Sequence, residues 1–212
     1  NMLHMFDDAS ALSESNQCAI HTSFSSNDNW SYDDWSGYCP FQPTTKAELQ
    51  TAVNLWITNN SSALSTYGEI NTWDVSLITN MRQLFLERST FNDDIGNWDV
   101  SNVTDMYQMF RVARDFNQDL SDWDVSSVTT MYQMFNNADE FNGDISGWDV
   151  SSVTTMQSMF YQGEYSSHTF NSDISGWDVS NVTTFNSMFS SARSFNQDLS
   201  DWDVSSAVSI GG

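Results

Sequence analysis

Basic residues are scarce in this sequence: of its 212 residues only six are Lys or Arg, against 28 Asp or Glu. The net charge of −22 repels nucleic acid and anionic membrane surfaces, so neither is an expected partner. A run of 18 apolar residues is also missing, which argues against a membrane-spanning helix. The charge is compatible with bound cations, with a basic partner, or with a simply solvated surface.

Cysteine is rare as well, with two residues in the chain. Cys18 and Cys39 lie in a polar, Trp-rich stretch and allow a single pairing, so we predict a disulfide between them and an oxidising compartment. Two cysteines and the distant His21 are too few ligands for a zinc site.

Five Asn-x-Ser/Thr acceptor sequences are compatible with a secreted glycoprotein, although chance supplies several in a chain so rich in Asn, Ser and Thr. They begin at Asn29, Asn59, Asn60, Asn102 and Asn181.

Signatures of catalysis are absent. His4, His21 and His168 lie in different segments, and no metalloprotease, serine hydrolase, P-loop or dinucleotide-binding signature occurs. The many carboxylates recur in equal columns, whereas catalysis usually needs one unlike site. We therefore predict that the protein is not an enzyme and needs no cofactor.

What the sequence does contain is a tandem repeat. Trp-Asp-Val-Ser occurs six times, at intervals of 25, 25, 25, 29 and 25 residues. The tryptophans are Trp73, Trp98, Trp123, Trp148, Trp177 and Trp202. So regular a period predicts stacked repeats, each of which buries its apolar side against its neighbours.

One repeat has the pattern of a strand followed by a helix. Ile95, Trp98 and Val100 have the spacing of a leucine-rich-repeat strand. Ser101, a favoured helix N-cap, then precedes apolar residues at intervals of three and four. These are Val103, Met106, Met109, Phe110 and Ala113. We predict an α/β solenoid, a leucine-rich-repeat-like array with one short parallel strand and one short helix per coil of about 25 residues.

The remaining columns of the repeat are interpreted as structural. The Met and Trp columns are expected to fill the core rather than to bind copper or sugar. The Asn that follows each Phe is expected to form a ladder that satisfies backbone groups of its own and the next coil. This column comprises Asn92, Asn117, Asn142, Asn171 and Asn196.

Four segments are expected along the chain. Residues 1–12 match the second half of a repeat and are interpreted as the end of an upstream array. Residues 13–43 form a Cys-containing junction or cap, and residues 44–66 form an N-terminal cap helix that starts at a Thr45–Glu48 capping box. Residues 67–212 form the solenoid of about six repeats. Since the last repeat is incomplete, we expect the chain to be a fragment of a longer protein.

The unit FNxD(I/L)SxWDVSxVTxMxxMFxxA resembles the repeat of BspA-like leucine-rich-repeat surface proteins. The resemblance covers residues 67–212 and 1–12, and the junction with Cys18, His21 and Trp30 also looks like the segment between arrays in such proteins. Arg88, Gly163, Ala207 and the 29-residue unit depart from the pattern. The resemblance implies cell-surface display and adhesion, and it carries no catalytic residues.

The outward positions of the predicted strand are acidic. They would line a concave sheet as a candidate ligand or cation stripe: Asp74, Asp99, Asp124, Asp149, Asp178 and Asp203. Three explanations remain open for this column, namely a structural role in each repeat, Ca²⁺ bound by hard oxygen ligands, and a basic partner laid along it. The column just before the strand lies beside a turn, where backbone capping is expected. It comprises Asp94, Asp119, Asp144, Asp173 and Asp198.

Two functions from different classes follow from these features. The first is a non-enzymatic extracellular protein that binds a protein or glycan ligand at a cell surface. The second is a structural subunit of an extracellular fibre, sheath or appendage that self-assembles, with Ca²⁺ as a possible requirement. The four extra residues of the long repeat predict a surface loop in which Tyr161, Tyr165 and His168 could form a contact spot.

Overall fold

The computed structural model describes residues 5, 6, 9, 11–28, 30–163 and 169–211. The chain divides into two compact units, Asn1–Phe41 and Gln42–Gly212. Among the described residues no helix is long and apolar enough to cross a bilayer.

The first unit is built around helix α1, Glu14–Phe24, and a 3₁₀ segment, Asp33–Tyr38. The Ser13 side chain caps α1 by accepting the N–H of Asn16. A disulfide joins Cys18 to Cys39, which confirms the predicted pairing.

Aromatic rings fill the remainder of this unit, with Trp30 and Trp35 both buried. The indole N–H of Trp30 donates to Nδ1 of His21 at 3.1 Å. This histidine therefore has a structural partner within the unit.

The second unit begins with two helices, α2, Lys46–Thr58, and α3, Asn60–Tyr67, where the sequence suggested one helix over 44–66. The Thr45–Glu48 capping box is present as predicted. Leu49 and Val53 of α2 are fully buried, and the Gln50 amide donates to the Leu84 carbonyl of the first repeat at 3.0 Å. A short 3₁₀ turn, Ile70–Thr72, leads into the repeats.

The prediction of an α/β solenoid is wrong. Within residues 73–163 and 169–211 the chain forms neither α-helix nor β-strand, and no sheet is present. The repeats meet instead through isolated parallel bridges, one between each pair of neighbours. These are Asn80↔Asp105, Asp105↔Thr130, Thr130↔Thr155, Thr155↔Thr184 and Thr184↔Ser209.

A series of tight turns replaces the predicted helix. The Met109 N–H donates to the Met106 carbonyl three residues back, but the Gln108 N–H donates to Tyr132 in the next repeat at 2.8 Å. An α-helix would use each of these N–H groups within its own segment. Gln108 and Val112 also have positive φ, 54° and 61°, which interrupts any right-handed helix.

The positions predicted to be buried are correct, although the predicted helix is wrong. Met106, Met109 and Phe110 are all fully buried, as a helical stripe would be. Turns that close over three residues also bring side chains inward at intervals of three and four, so the periodicity could not tell the two conformations apart. Ser101 is not a helix N-cap, because its N–H and hydroxyl both donate to Asp99.

The predicted strand fails for a related reason. Trp98 and Val100 do point inward, with 2% and 1% of their surface exposed. The Trp98 N–H, however, closes a turn onto Ile95, and its indole N–H donates to the Ile70 carbonyl at 2.8 Å. At this position the Trp98 side chain, and not a backbone ladder between strands, forms the hydrogen bond that joins the two neighbouring repeats.

Side-chain columns hold the repeats in register. The Phe110 ring stacks on Phe135 of the next repeat at 5.4 Å, and Trp123 stacks on Trp148 at 6.4 Å with an interplanar angle of 4°. These columns confirm that the Trp, Met and Phe positions form the core. Because each ring contacts its equivalent in the next repeat, the apolar side of a repeat is covered only by its neighbours.

The predicted asparagine ladder is confirmed. The Oδ1 atoms of the first four asparagines each accept the N–H of the Asn in the following repeat, at 2.7 to 2.9 Å. Asn117, for example, donates to Asn92 and accepts from Asn142. The ladder lies at the surface, since these three asparagines are exposed.

Candidate binding surface

The aspartate column lies on the outside of the repeats, where each carboxylate caps a turn of its own repeat. The Oδ1 atom accepts the N–H of the Ser two residues later, at 3.0 to 3.1 Å in all six repeats. In the first two repeats the Ser hydroxyl donates to the same atom at 2.6 Å. The pattern Asp-Val-Ser is therefore an Asx turn repeated six times, on which no concave sheet is built.

These hydrogen bonds lower the pKa of four carboxyls of the column, those of Asp124, Asp149, Asp178 and Asp203. The hydroxyl and the N–H of Ser180 hold the pKa of Asp178 below its usual value, and the neighbouring carboxylates Asp149 and Asp203 raise it by less. Asp124 is likewise lowered by the hydroxyl and N–H of Ser126, so its pKa also lies below the usual value. Hydrogen bonding to the charged form outweighs like-charge repulsion along the column.

Threonines form a second exposed column beside the aspartates. The Thr129 hydroxyl and N–H both donate to the Thr104 carbonyl of the preceding repeat, at 3.0 and 2.9 Å. Thr154 and Thr183 repeat this contact. In the four repeats from Trp98 to Trp177, the short segment from the Trp-Asp-Val-Ser motif to this Thr presents one exposed Asp and one exposed Thr to solvent, whereas Asp74 is partly buried and the last repeat has Val208 at the Thr position. We call the combined surface the Asp/Thr face.

The second acidic column has the capping role expected for it. Asp144 accepts the N–H of Ser146 at 2.9 Å and its hydroxyl at 2.7 Å. The equivalent aspartates accept the N–H two residues later in the same way. The pKa of Asp144 is lowered by the N–H and then the hydroxyl of Ser146.

The described part of the chain contains no group of three or more His, Cys, Asp or Glu side chains arranged to hold a metal ion. Each aspartate of these columns forms its hydrogen bond within its own repeat. One oxygen of each carboxylate is therefore already an acceptor for a backbone N–H. Calcium was one of three explanations for the aspartate column, and a binding measurement has to test it.

The acceptor asparagines differ in their surroundings. Asn60 is exposed at the start of α3, and Asn59 caps that helix by accepting the N–H of Ser62. The Nδ2 atoms of Asn102 and Asn181, to which a glycan would be attached, donate to carbonyls of the preceding repeat at 2.9 and 2.8 Å. Asn29 lies outside the described residues.

Of the three residues of the proposed contact spot in the long repeat, the structure describes Tyr161. Tyr161 is partly buried, and its carbonyl accepts the N–H of Asn137 at 2.8 Å. Tyr165 and His168 lie outside the described residues.

One surface cluster escaped the sequence analysis. The Tyr107 and Tyr132 rings stack at 4.8 Å, and the Arg82 guanidinium lies 3.6 Å above the Tyr107 ring. Glutamines one position further on form a parallel ladder, in which Gln83 donates to Gln108 at 2.7 Å. The 25-residue spacing of the two tyrosines was a signal that could have found this stack.

Comparison with known proteins places the repeats in a family. The family model described as "Mycoplasma protein of unknown function, DUF285" matches residues 57–168 and 162–211. Neither a curated protein nor a solved structure matches the chain. The matched residues take in α3 and all six Trp-Asp-Val-Ser motifs, and they make up well over half of the sequence. The chain therefore belongs to the DUF285 family.

Proposed function

We propose that this protein is a non-enzymatic, extracellular binding protein that holds a protein or glycan ligand on its Asp/Thr face. The observation that carries the proposal is a carboxylate that caps the same turn in all six repeats and is exposed in five of them, from Asp99 to Asp203. Such a surface offers the same weak contact at each repeat. A ligand that spans several repeats gains affinity by making several of these contacts at once.

The negative charge of the Asp/Thr face and of the whole chain favours a basic ligand. The pKa values of Asp124, Asp149 and Asp178 are lowered by their Ser hydroxyls and N–H groups, so these carboxylates carry full negative charge at neutral pH. The whole chain carries a net charge of −22, which steers basic partners towards it and repels acidic ones. A cationic protein segment or an amine-bearing glycan therefore fits the Asp/Thr face best.

Two further observations support an extracellular setting. The disulfide between Cys18 and Cys39 persists in oxidising compartments and is rare in the cytosol. The repeat also resembles that of BspA-like surface proteins, which are displayed on cells.

The binding experiment compares two variants of equal charge. Asp124, Asp149 and Asp178 are changed together to Asn, which still accepts the Ser N–H and so preserves each Asx turn. The control changes three exposed aspartates that lie outside the column, Asp115, Asp122 and Asp201.

Binding to immobilised oligolysine and to an array of neutral and amine-bearing glycans is measured at low and high salt. We expect saturable binding by the native chain and the control, and at least tenfold weaker binding by the column variant. Equal weakening of binding in both variants would show that net charge, and not the aspartate column, causes the binding. Absence of binding to every probe would contradict the proposal.

A structural subunit that self-assembles is the alternative function. The stacking of equivalent rings from repeat to repeat, such as Phe110 on Phe135, supports it, because equivalent surfaces already associate within the chain. Sedimentation of the chain over a range of concentrations, with Ca²⁺ and with a chelator, tests this alternative. A monomer at every concentration in both buffers would exclude it.

A further inference from the structure

A cavity lies where helices α2 and α3 meet the first repeat, and every segment that lines it belongs to the second unit. Its volume is about 440 Å³. Cavities of roughly 300–1,000 Å³ are usual for ligand sites in proteins. Helix α2 contributes Trp56 and Ile57, and α3 contributes Leu64. Glu69, which follows α3, and Asp93 of the first repeat add two carboxylates. We call this space the helix–repeat cavity.

The two helices give the cavity an apolar wall. Leu64 is 43% exposed, Ile57 is partly exposed, and Trp56 is 6% exposed. The Trp56 ring meets the ring of Trp73 edge to face at 5.9 Å, which fixes its orientation. The wall is therefore preformed and offers its apolar surface to an aliphatic chain.

The charged residues of the lining are both acidic. Glu69 and Asp93 are exposed, and the other two polar residues of the lining, Asn60 and Thr90, are neutral. Among the described residues neither carboxylate takes part in an ion pair. A cavity with two carboxylates and no basic residue in its described lining attracts a cationic group.

Asp93 departs from the repeat at its position. Gln118 and Gln197 occupy this position in later repeats, and each donates to an Asn carbonyl of the preceding repeat, at 2.7 and 2.8 Å. An ionised carboxylate has no proton to donate. Asp93 accepts the indole N–H of Trp56 on its Oδ2 atom instead, at 2.9 Å. This bond holds the carboxylate at the cavity.

We propose that the helix–repeat cavity binds a lysine side chain presented by another protein. The aliphatic stem of the lysine lies along Ile57 and Leu64, and its ammonium group pairs with the two carboxylates, because lysine stems pack on apolar surface while the charged end stays in a polar setting. This inference goes beyond ligand binding on the Asp/Thr face and does not depend on it.

The state of the Asp93 carboxylate favours lysine over arginine. A guanidinium group pairs best with both oxygens of one carboxylate, in two parallel hydrogen bonds. Oδ2 of Asp93 already accepts the indole N–H of Trp56. An ammonium group acts as a point charge and needs a single oxygen from each carboxylate.

The test is an NMR titration of the full chain with Nα-acetyl-lysine N-methylamide. The indole N–H signal of Trp56 reports on the cavity, because this group donates to Asp93. The matched probes are the norleucine derivative, which has the same stem without the ammonium group, and the arginine derivative. We expect a saturable shift with the lysine probe and at least tenfold weaker binding of the other two. Absence of a saturable shift, or equal binding of either matched probe, would overturn the proposal.

Two double variants separate the cavity from net charge. Glu69→Gln with Asp93→Asn removes both charges and keeps an oxygen acceptor for the Trp56 indole. Asp122→Asn with Asp201→Asn removes the same charge at exposed positions outside the cavity. Circular dichroism checks that both variants are folded. We expect the first variant to bind the lysine probe at least tenfold more weakly and the second to bind it like the native chain. Equal affinity of the two variants would overturn the proposal.

Discussion

The indole N–H of Trp123 donates to the carbonyl oxygen of Ile95, 28 residues earlier in the chain, at 3.1 Å. The same bond recurs in each repeat from Trp98 to Trp202 and ties every repeat to the one before it. A tryptophan is needed at this position because no other large apolar side chain carries a single N–H donor at its edge.

Trp123→Phe is expected to destabilise the protein by about 0.5–1.5 kcal/mol beyond the loss of apolar surface, because it removes a buried hydrogen bond and leaves the Ile95 carbonyl with the Trp98 N–H alone. Trp202→Phe breaks the equivalent bond to Ile174 at the partly exposed end and should cost clearly less. Urea denaturation followed by circular dichroism compares the two variants. Equal losses would show that burial does not govern the strength of this bond.

Val112→Asn is expected to stabilise the protein by roughly 0.5–1 kcal/mol, because a β-branched residue at positive φ is strained and Asn tolerates this region. Val112 has φ of 61°, and Asn137 occupies the same position of the next repeat with φ of 55°. Val208→Asn, at an exposed position outside the set of positive-φ residues, is the matched control and should leave the denaturation midpoint unchanged. A lower midpoint for Val112→Asn would argue that its side-chain packing outweighs the backbone strain.

Asn117→Ala is expected to reduce stability by about 0.5–1.5 kcal/mol, because it removes the acceptor of the Asn142 N–H. Asn117→Asp keeps an oxygen at that position and should recover much of the loss. Asn97→Ala, at an exposed position outside the ladder, serves as control. Thermal unfolding of the three variants gives the comparison, and similar melting temperatures for all of them would contradict a stabilising ladder.

Acid is expected to destabilise the protein through its aspartates. The pKa values of Asp124, Asp149 and Asp178 are lowered from an ordinary 3.8 in the folded chain, so the unfolded chain binds more protons in this range and the protein loses stability as the pH is lowered. The aspartates contribute their full stabilisation at a pH above the pKa of the unfolded chain. This stabilisation is lost as the pH falls through the lower pKa values of the folded chain.

A triple change of Ser126, Ser151 and Ser180 to Ala removes the hydroxyls that are the main cause of three of these shifts. The variant should lose less stability than the native chain when the pH is lowered below 3.8. Ser127→Ala with Ser152→Ala changes exposed neighbours and should behave like the native chain. Parallel pH profiles for the native chain and the triple variant would rule out this role of the hydroxyls.

Calcium is expected to leave the melting temperature unchanged. The described residues contain no cluster of three carboxylate or imidazole ligands, and one oxygen of each column aspartate already accepts an N–H. A cation that bound the folded state would raise the melting temperature by mass action. A rise that a chelator reverses, and that is lost when Asp124, Asp149 and Asp178 are changed to Asn, would instead establish a calcium site on the column.

The sequence by itself determined the repeat, its register and the positions that are buried. Trp98, Val100, Met106 and Phe110 were assigned to the core from spacing alone, because a column that recurs every 25 residues must meet its own equivalent in the next repeat. The sequence also predicted the Cys18–Cys39 disulfide, because two cysteines allow a single pairing.

Only the tertiary structure decided which backbone conformation carries these columns. Intervals of three and four are common to α-helices and to successive tight turns, and Ser101 at the position of an N-cap favoured the helix. The choice depends on whether the Gln108 N–H bonds within its own segment or to Tyr132 of the next repeat, which is a contact between residues 24 apart.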